Sequence, residues 1–195
     1  MTDCAWATQN PLYQAYHDLE WGVPVTDDSR LLEMLILEGM QAGLSWLTVL
    51  KKREAFRRAF SQFTPKVVAG FSSNEIDSLL ANADLIRNRA KIEAAIHNSR
   101  EFIQIQQEHG SFAKYLWAFV NYVPEIHHYQ ESSQIPPFSP LAERISRDLK
   151  HRGFRFVGPT VCYSYCQAVG LVVDHLTQCE RYLVLGHPGT VELPQ

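Results

Sequence analysis

Residues 27–60 read DDSRLLEMLILEGMQAGLSWLTVLKKREAFRRAF. Asp27, Asp28 and Ser29 offer short polar side chains that can accept from the free N–H groups of a first helical turn. Leu31, Leu32, Leu35 and Ile36 then recur at helical spacing. Gly43 and Leu44 interrupt the pattern, and Ser45 opens a second helix running to Phe60. Two helices follow one another here with no alternating strand between them. The same punctuation continues outward. Thr64-Pro65 and Ser139-Pro140 each place a hydroxyl before a first-turn proline. Helices are expected at 73–82, 88–107, 111–120 and 160–169, with Gly110, Gly153 and Gly170 as stops. The β-branched clusters Val67-Val68 and Val172-Val173 are too short to build a sheet, so the fold class is all-α.

The 195 residues are 46% hydrophobic and 20% charged, the composition of a globular chain that can bury about 70% of its unfolded surface without a disulfide or metal for size. Residues 1–195 are read as one unit divisible into two helical lobes. The connection is the stretch 123–140, which holds four prolines. The tail 180–195 carries no readable motif and is expected to be partly disordered. No apolar run approaches the ~20 residues that span a bilayer, and the start, Met1-Thr2-Asp3-Cys4, lacks the pattern of a secretory signal. A cytoplasmic monomer with no membrane partner is expected. Net charge is −3, which argues against a uniformly basic surface. Residues 1–50, however, carry one base and seven acids, and residues 51–100 ten bases and five acids, so a local phosphate-binding face is allowed.

Several constellations carry chemistry. His175 and Cys179, spaced i, i+4, would put an imidazole and a thiolate on one helical face. Cys4 and His17 would complete a Cys₂His₂ set suited to zinc. The competing reading is a chain-end thiol and a satisfied histidine. Cys162 and Cys166, in an apolar stretch, read as core. Trp6, Tyr13, Tyr16, Trp21 and Trp46 crowd the first quarter of the chain, and Glu38 lies in Leu35-Ile36-Leu37-Glu38-Gly39. A carboxylate on so apolar a face must find donors, enter a pocket or reach solvent at a helix end. Planar rings beside it suit a heterocyclic base as well as a core. Lys51, Lys52, Arg53, Arg57 and Arg58 form one basic tract. Arg87, Arg89 and Lys91 flank an interhelical turn where backbone N–H groups and cations can hold a DNA phosphate. A third run comprises Arg144, Arg147, Lys150, Arg152 and Arg155; solvated faces are the default reading of all three. Phosphate-loop, dinucleotide-binding, HExxH and GxSxG motifs are absent.

CAW at 4–6, PLYQAYHDLEWGVP at 11–24, LEGMQAGLSWLTVLKKRE at 37–54, LIRNRAKI at 85–92, RGFRFVGPTVCYSYCQAVGLVVDH at 152–175, and Cys179 closely resemble the DNA-3-methyladenine glycosylase I family. The resemblance implies a helix-hairpin-helix glycosylase fold with one structural zinc ion on Cys4, His17, His175 and Cys179, joining the two ends of the chain. It implies excision of 3-methyladenine from alkylated double-stranded DNA after base flipping, with Glu38 as the catalytic and base-selecting group. Tyr16 and Trp46 would form the base pocket, with Tyr13, Trp6 and Trp21 nearby. Gly43 and Leu44 would approach the gap left by the flipped nucleotide, with a buried core leucine as the rival reading of Leu44. Arg87, Arg89 and Lys91 would contact DNA around the hairpin 83–90. Asp84 stands where the family is expected to favour glycine, a departure affecting the shape or affinity of that turn. The alternatives are a zinc-stabilised helical DNA-binding protein without excision and, less compatible with four protein ligands, a zinc hydrolase.

Overall fold

The computed structural model describes residues 4–187 and 189–193. Among these, ten α-helices carry the architecture: α1 Pro11–Leu19, α2 Asp28–Gln41, α3 Trp46–Ala59, α4 Pro65–Ala69, α5 Ser73–Ala81, α6 Arg89–His109, α7 Phe112–Ala118, α8 Pro140–His151, α9 Pro159–Ala168 and α10 Glu180–Leu185. Strands β1 (Glu125–Ile126) and β2 (Val172–Val173) form one short parallel bridge. Among the described residues no helix is long and apolar enough to cross a membrane.

The capping residues act as their chemistry requires. Asp27, Ser45, Asn88, Ser111 and Ser139 each accept a backbone N–H from the helix they precede. Thr64 does not: its hydroxyl donates to the Ser61 carbonyl instead. Asn10-Pro11 starts α1 with the same pairing as Ser139-Pro140, although the sequence reading placed no helix there.

α2 is the hub. Every residue from Leu31 to Met40 is buried, as expected of a helix apolar on nearly all sides. It packs on α3, α4, α6, α7 and α9. Asp28 at its start accepts from Phe112 and Ala113 N–H and from Gln106, tying α7 and α6 to it. Gly170 has φ +75°, and a Cβ there would lie 2.4 Å from the Val23 carbonyl carbon. Only glycine therefore allows the chain after α9 to close on the segment after α1. Cys162 and Cys166 are fully buried, as a core reading requires.

Within the tail, Glu180–Leu185 forms α10, and Val191 beyond it donates its N–H to the Tyr122 carbonyl while packing against the core. One expectation is corrected: the first basic tract is only partly a solvated face, with Lys51 and Arg58 exposed. Arg53 is buried, with Nε 2.6 Å from Glu33 Oε1 and both terminal nitrogens on Glu20, and Arg57 also binds Glu33.

Candidate active site and metal centre

The second half of α2 presents Glu38 and Gln41 to a cavity of about 410 Å³. α1 supplies Tyr13 and Tyr16, the first residue of α3 supplies Trp46, and Trp6 and Trp21 flank α1. The rings interlock edge to face: Trp6 stands 5.6 Å from Tyr13 at 87° and 5.2 Å from Trp21 at 82°, and Tyr16 is 5.5 Å from Trp46. Such offsets leave ring faces available to a planar guest. The Tyr13 hydroxyl accepts from Leu47 N–H at 3.0 Å, pinning α1 to the start of α3.

Two polar atoms in this cavity are buried without a protein hydrogen-bond partner: Glu38 Oε2 and Trp46 Nε1. Burial pushes the Glu38 carboxyl up to about 8, with no cation to oppose it. Glu33, only five residues earlier on the same helix, behaves oppositely. Burial would raise it too, but Arg53, Arg57 and Arg30 hold it below the usual carboxylate range. Burial therefore favours the carboxylic acid form of Glu38 at neutral pH, whereas the surrounding arginines favour the carboxylate form of Glu33. Tyr16 stays a neutral phenol, raised by burial and by its proximity to Glu38.

The metal candidates also converge. Cys4, His17, His175 and Cys179 are all buried, and one potential ligand atom from each lies within 4.8 Å of the others. His175 Nδ1 is 3.0 Å from His17 Nε2, and Cys179 Sγ is 3.6 and 3.7 Å from those nitrogens. A tetrahedral centre with metal–nitrogen and metal–sulfur bonds of about 2.0 and 2.3 Å places ligand atoms roughly 3.3–3.8 Å apart; the two Cys179 distances fall in that range and the nitrogen–nitrogen distance is a few tenths of an ångström short of it, so the donor set could hold a metal ion after a small separation of the two imidazoles. The outer ring nitrogens are engaged: His175 Nε2 donates to the Trp21 carbonyl at 2.9 Å, and His17 Nδ1 stands 2.7 Å from the Asp18 carboxylate. These bonds leave the inner nitrogens as donors of lone pairs. The two imidazoles also pack against pocket rings, His175 on Trp21 at 4.6 Å and His17 on Trp6 at 5.4 Å. The Cys/His cluster and the cavity share a wall.

The remaining predicted residues differ in environment. Gly43 has φ +78° and turns the chain between α2 and α3. Leu44 is 41% exposed, which removes the buried-core alternative. Arg87 is exposed; Arg89 is exposed but bound to Asp77 at 2.9 Å and Glu93 at 3.4 Å. Lys91 departs from the expected solvent-facing cation. It is buried, and its ammonium donates to the Met40 and Ala42 carbonyls at 2.9 and 2.6 Å. It holds the end of α2, because those carbonyls have no intrahelical donor. Asp84 is absent from the positive-φ residues, so the turn does not need the left-handed backbone that would favour glycine. The Ala83 and Asp84 carbonyls instead accept from Lys52 Nζ at 3.2 and 3.1 Å.

Sequence reasoning missed Gln41, Ser164, Gln167, Ser132 and Ile135 in the cavity wall. Gln41 lies one helical turn beyond Glu38, a spacing that could have found it. Ser132 and Ile135 come from the proline-rich connection, which the β1–β2 bridge fastens to the segment after α9.

Comparison with known proteins adds the following. The model of the methyladenine glycosylase family matches residues 6–182. A DNA-3-methyladenine glycosylase 1 from Escherichia coli is 49% identical over 182 residues, covering 93% of this chain and 97% of the relative. A DNA-3-methyladenine glycosylase from Haemophilus influenzae is 43% identical over 178 residues, covering 91% and 96%. A solved structure describing 3-methyladenine recognition by 3-methyladenine DNA glycosylase I from Staphylococcus aureus is 40% identical, with TM-score 0.89 over 92% of this chain and 96% of that one.

Proposed function

The chain belongs to the methyladenine glycosylase family, and on that premise we infer that its aromatic cavity receives 3-methyladenine flipped from alkylated DNA. The protein is a DNA repair glycosylase that hydrolyses the N-glycosidic bond of that base. The observation that carries the site assignment is the pair of unpartnered buried atoms, Glu38 Oε2 and Trp46 Nε1, among edge-to-face and tilted rings.

Methylation at N3 makes adenine cationic within DNA, weakens its bond to deoxyribose and lets it depart as a neutral molecule. Strong acid catalysis is then unnecessary, and no general base is assigned. Discrimination falls to the pocket. A protonated Glu38 offers one O–H donor and one carbonyl acceptor, matching the N7 acceptor and exocyclic amine of adenine. 7-Methylguanine is blocked at N7 and carries a carbonyl in place of the amine, so it fails at both positions. 3-Methylguanine fails at one. The faces of Tyr16 and Trp46 favour a cationic heterocycle over a neutral one, and extrusion itself is easiest for a damaged base.

Cys4, His17, His175 and Cys179 would hold one zinc ion. Four protein ligands leave no coordination position for a water, so the ion's role is structural. Through Trp6 and Trp21 it would brace the cavity wall. The α5–α6 hairpin, with Arg87 at its tip, would bind phosphate in the manner of a helix-hairpin-helix element, and Leu44 would fill the space vacated by the flipped base.

The direct test is release of bases from methylated duplex DNA, resolving 3-methyladenine from 7-methylguanine, repeated with Glu38→Ala. Selective release of 3-methyladenine that collapses in the variant is expected. No release by folded, zinc-loaded protein would favour a DNA-binding scaffold without excision.

A further inference from the structure

Phe156 stands at φ +55°, where a bulky side chain crowds its own backbone. The other non-glycine residues with positive φ among the described residues are Ser61, Gln62, Phe63, Asn121 and Tyr122. Phe63 is fully buried and stacked on Phe60, so packing offsets its conformation. Phe156 has no such compensation, being 40% exposed. Its strained backbone is nevertheless clamped. Arg155 N–H donates to Asn98 Oδ1 and Asn98 Nδ2 donates to the Arg155 carbonyl, both at 2.8 Å, while Ser146 donates to the Val157 carbonyl at 2.6 Å. An exposed aromatic ring held by surrounding structure in an unfavourable conformation points to a use for the ring outside the fold.

Its surroundings identify that use. Phe156 borders a small depression with Gly39 and Lys91. Lys91 is in the first turn of α6, directly after the 82–88 turn, and its ammonium fixes the carbonyls preceding Gly43 and Leu44. On the other side, Gly158 caps α9 two residues after Phe156. Thr160 and Val161 of α9 line a cleft with Gly43, Leu44, Gln41 and Glu38. That cleft shares Glu38, Gln41 and Ser164 with the base cavity. Phe156 therefore stands where the hairpin, the Gly43–Leu44 turn and the start of α9 meet, beside exposed Arg155 and Thr160.

We propose that Phe156 is a second apolar contact to the duplex, packing against the bases beside the extruded nucleotide in addition to Leu44. The inference rests on the glycosylase reading above, which makes duplex DNA the occupant of the face around the cavity mouth. Extrusion leaves neighbouring bases unstacked, and an aromatic ring recovers part of that loss. Because the backbone is already fixed, little ordering is needed on binding.

Three measurements on Phe156→Ala and Phe156→Gly test it: affinity for a duplex carrying a tetrahydrofuran abasic analogue, affinity for free 3-methyladenine by tryptophan fluorescence, and thermal melting. Both variants should bind the duplex roughly 5- to 150-fold more weakly, the range for loss of one base–aromatic stack. Free-base affinity should stay within about twofold of the parent's. Phe156→Gly should melt at or above Phe156→Ala, because glycine accepts the conformation without strain; this keeps one folded variant available. Duplex affinity within about twofold of the parent in both variants overturns the proposal. So does a parallel fall in free-base affinity, which would place the residue's effect inside the cavity. Absence of base release by the parent protein would instead strike the glycosylase reading, and the duplex-affinity arms would still be decided.

Discussion

Glu38→Gln should raise stability, by an amount that depends on pH. In the folded protein the carboxyl is held up to about 8 by burial, against an ordinary value of 4.5. Between those limits the unfolded chain has released its proton while the folded protein retains it. Stability is therefore fully present below the unfolded pKa and is lost as pH rises toward the folded one. Each pH unit in that window removes about 1.4 kcal/mol. At pH 7 the loss is about 3 kcal/mol, and above pH 8 it levels near 5 kcal/mol. Glutamine has almost the same shape and no charge to desolvate, so the variant escapes this loss. The assay is urea unfolding of parent and variant from pH 5.5 to 9, analysed as the difference between them, in which pH effects of the metal ligands cancel. Expected is a difference growing by about 1.4 kcal/mol per pH unit up to pH 8 and then flattening. At pH 7 it corresponds to a melting shift of roughly 6–12 °C. A difference that stays constant within about 0.5 kcal/mol over that range would refute the reasoning. It would mean that Glu38 is ionised in the folded protein and that the donor–acceptor match to adenine has the wrong protonation state. Because glutamine keeps one N–H donor and one carbonyl acceptor at this position, the variant should retain excision of 3-methyladenine, whereas Glu38→Ala, which removes both groups, should lose it.

Cys179→Ser should destabilise the protein by about 3 kcal/mol or more, because both chain ends are released, and a chelator should then have little further effect on melting; a variant melting like the parent would remove the metal from the structural account. Lys91→Met leaves the Met40 and Ala42 carbonyls without their donor and should cost about 2 kcal/mol in urea unfolding. It should leave the salt dependence of DNA binding unchanged, whereas a slope reduced by about one would show a phosphate contact instead. Arg53→Met removes one of three cations from the buried Glu33 carboxylate, leaving Arg30 and Arg57 in place, and should destabilise by about 1.5–3 kcal/mol at pH 7, the range for hydrogen bonds to a charged group. Glu33 is held below its ordinary value in the parent, so its stabilisation is present at neutral pH and lost as pH falls through the folded value. The variant's acid limb should consequently be flatter, and an unchanged limb in the unfolding–pH curve would count against the pairing.

The elements most legible in the sequence were those with local causes. Ser45, Asn88, Ser111 and Ser139 announced helix starts because a capping side chain reaches only two or three residues. Gly110 announced a stop because its left-handed conformation satisfies the last turn. The Cys₂His₂ set was half legible. The i, i+4 spacing of His175 and Cys179 is a local fact, but Cys4 and His17 were only candidates for the second half until the family resemblance favoured them, since some 160 residues of intervening chain have no periodicity that fixes the pairing. Glu38 was conspicuous for its apolar neighbours. Charge counting, however, could not separate it from Glu33, which lies on the same buried helix.

Sequence by itself thus determined most of the helices, though not α1 or α10, the all-α class and, through extended motifs, the kinship. Each of these is encoded in contiguous residues whose propensities and spacing act locally. Tertiary structure alone decided which carboxyl is neutral, which cations are spent inside the fold and which loops wall the cavity. Arg53 and Arg57 reach Glu33 and not Glu38, Lys91 turns inward to two carbonyls, and Ser132 arrives from a distant connection. Desolvation and Coulomb interaction depend on what surrounds a group in space, and chain order does not specify those surroundings until the helices have packed.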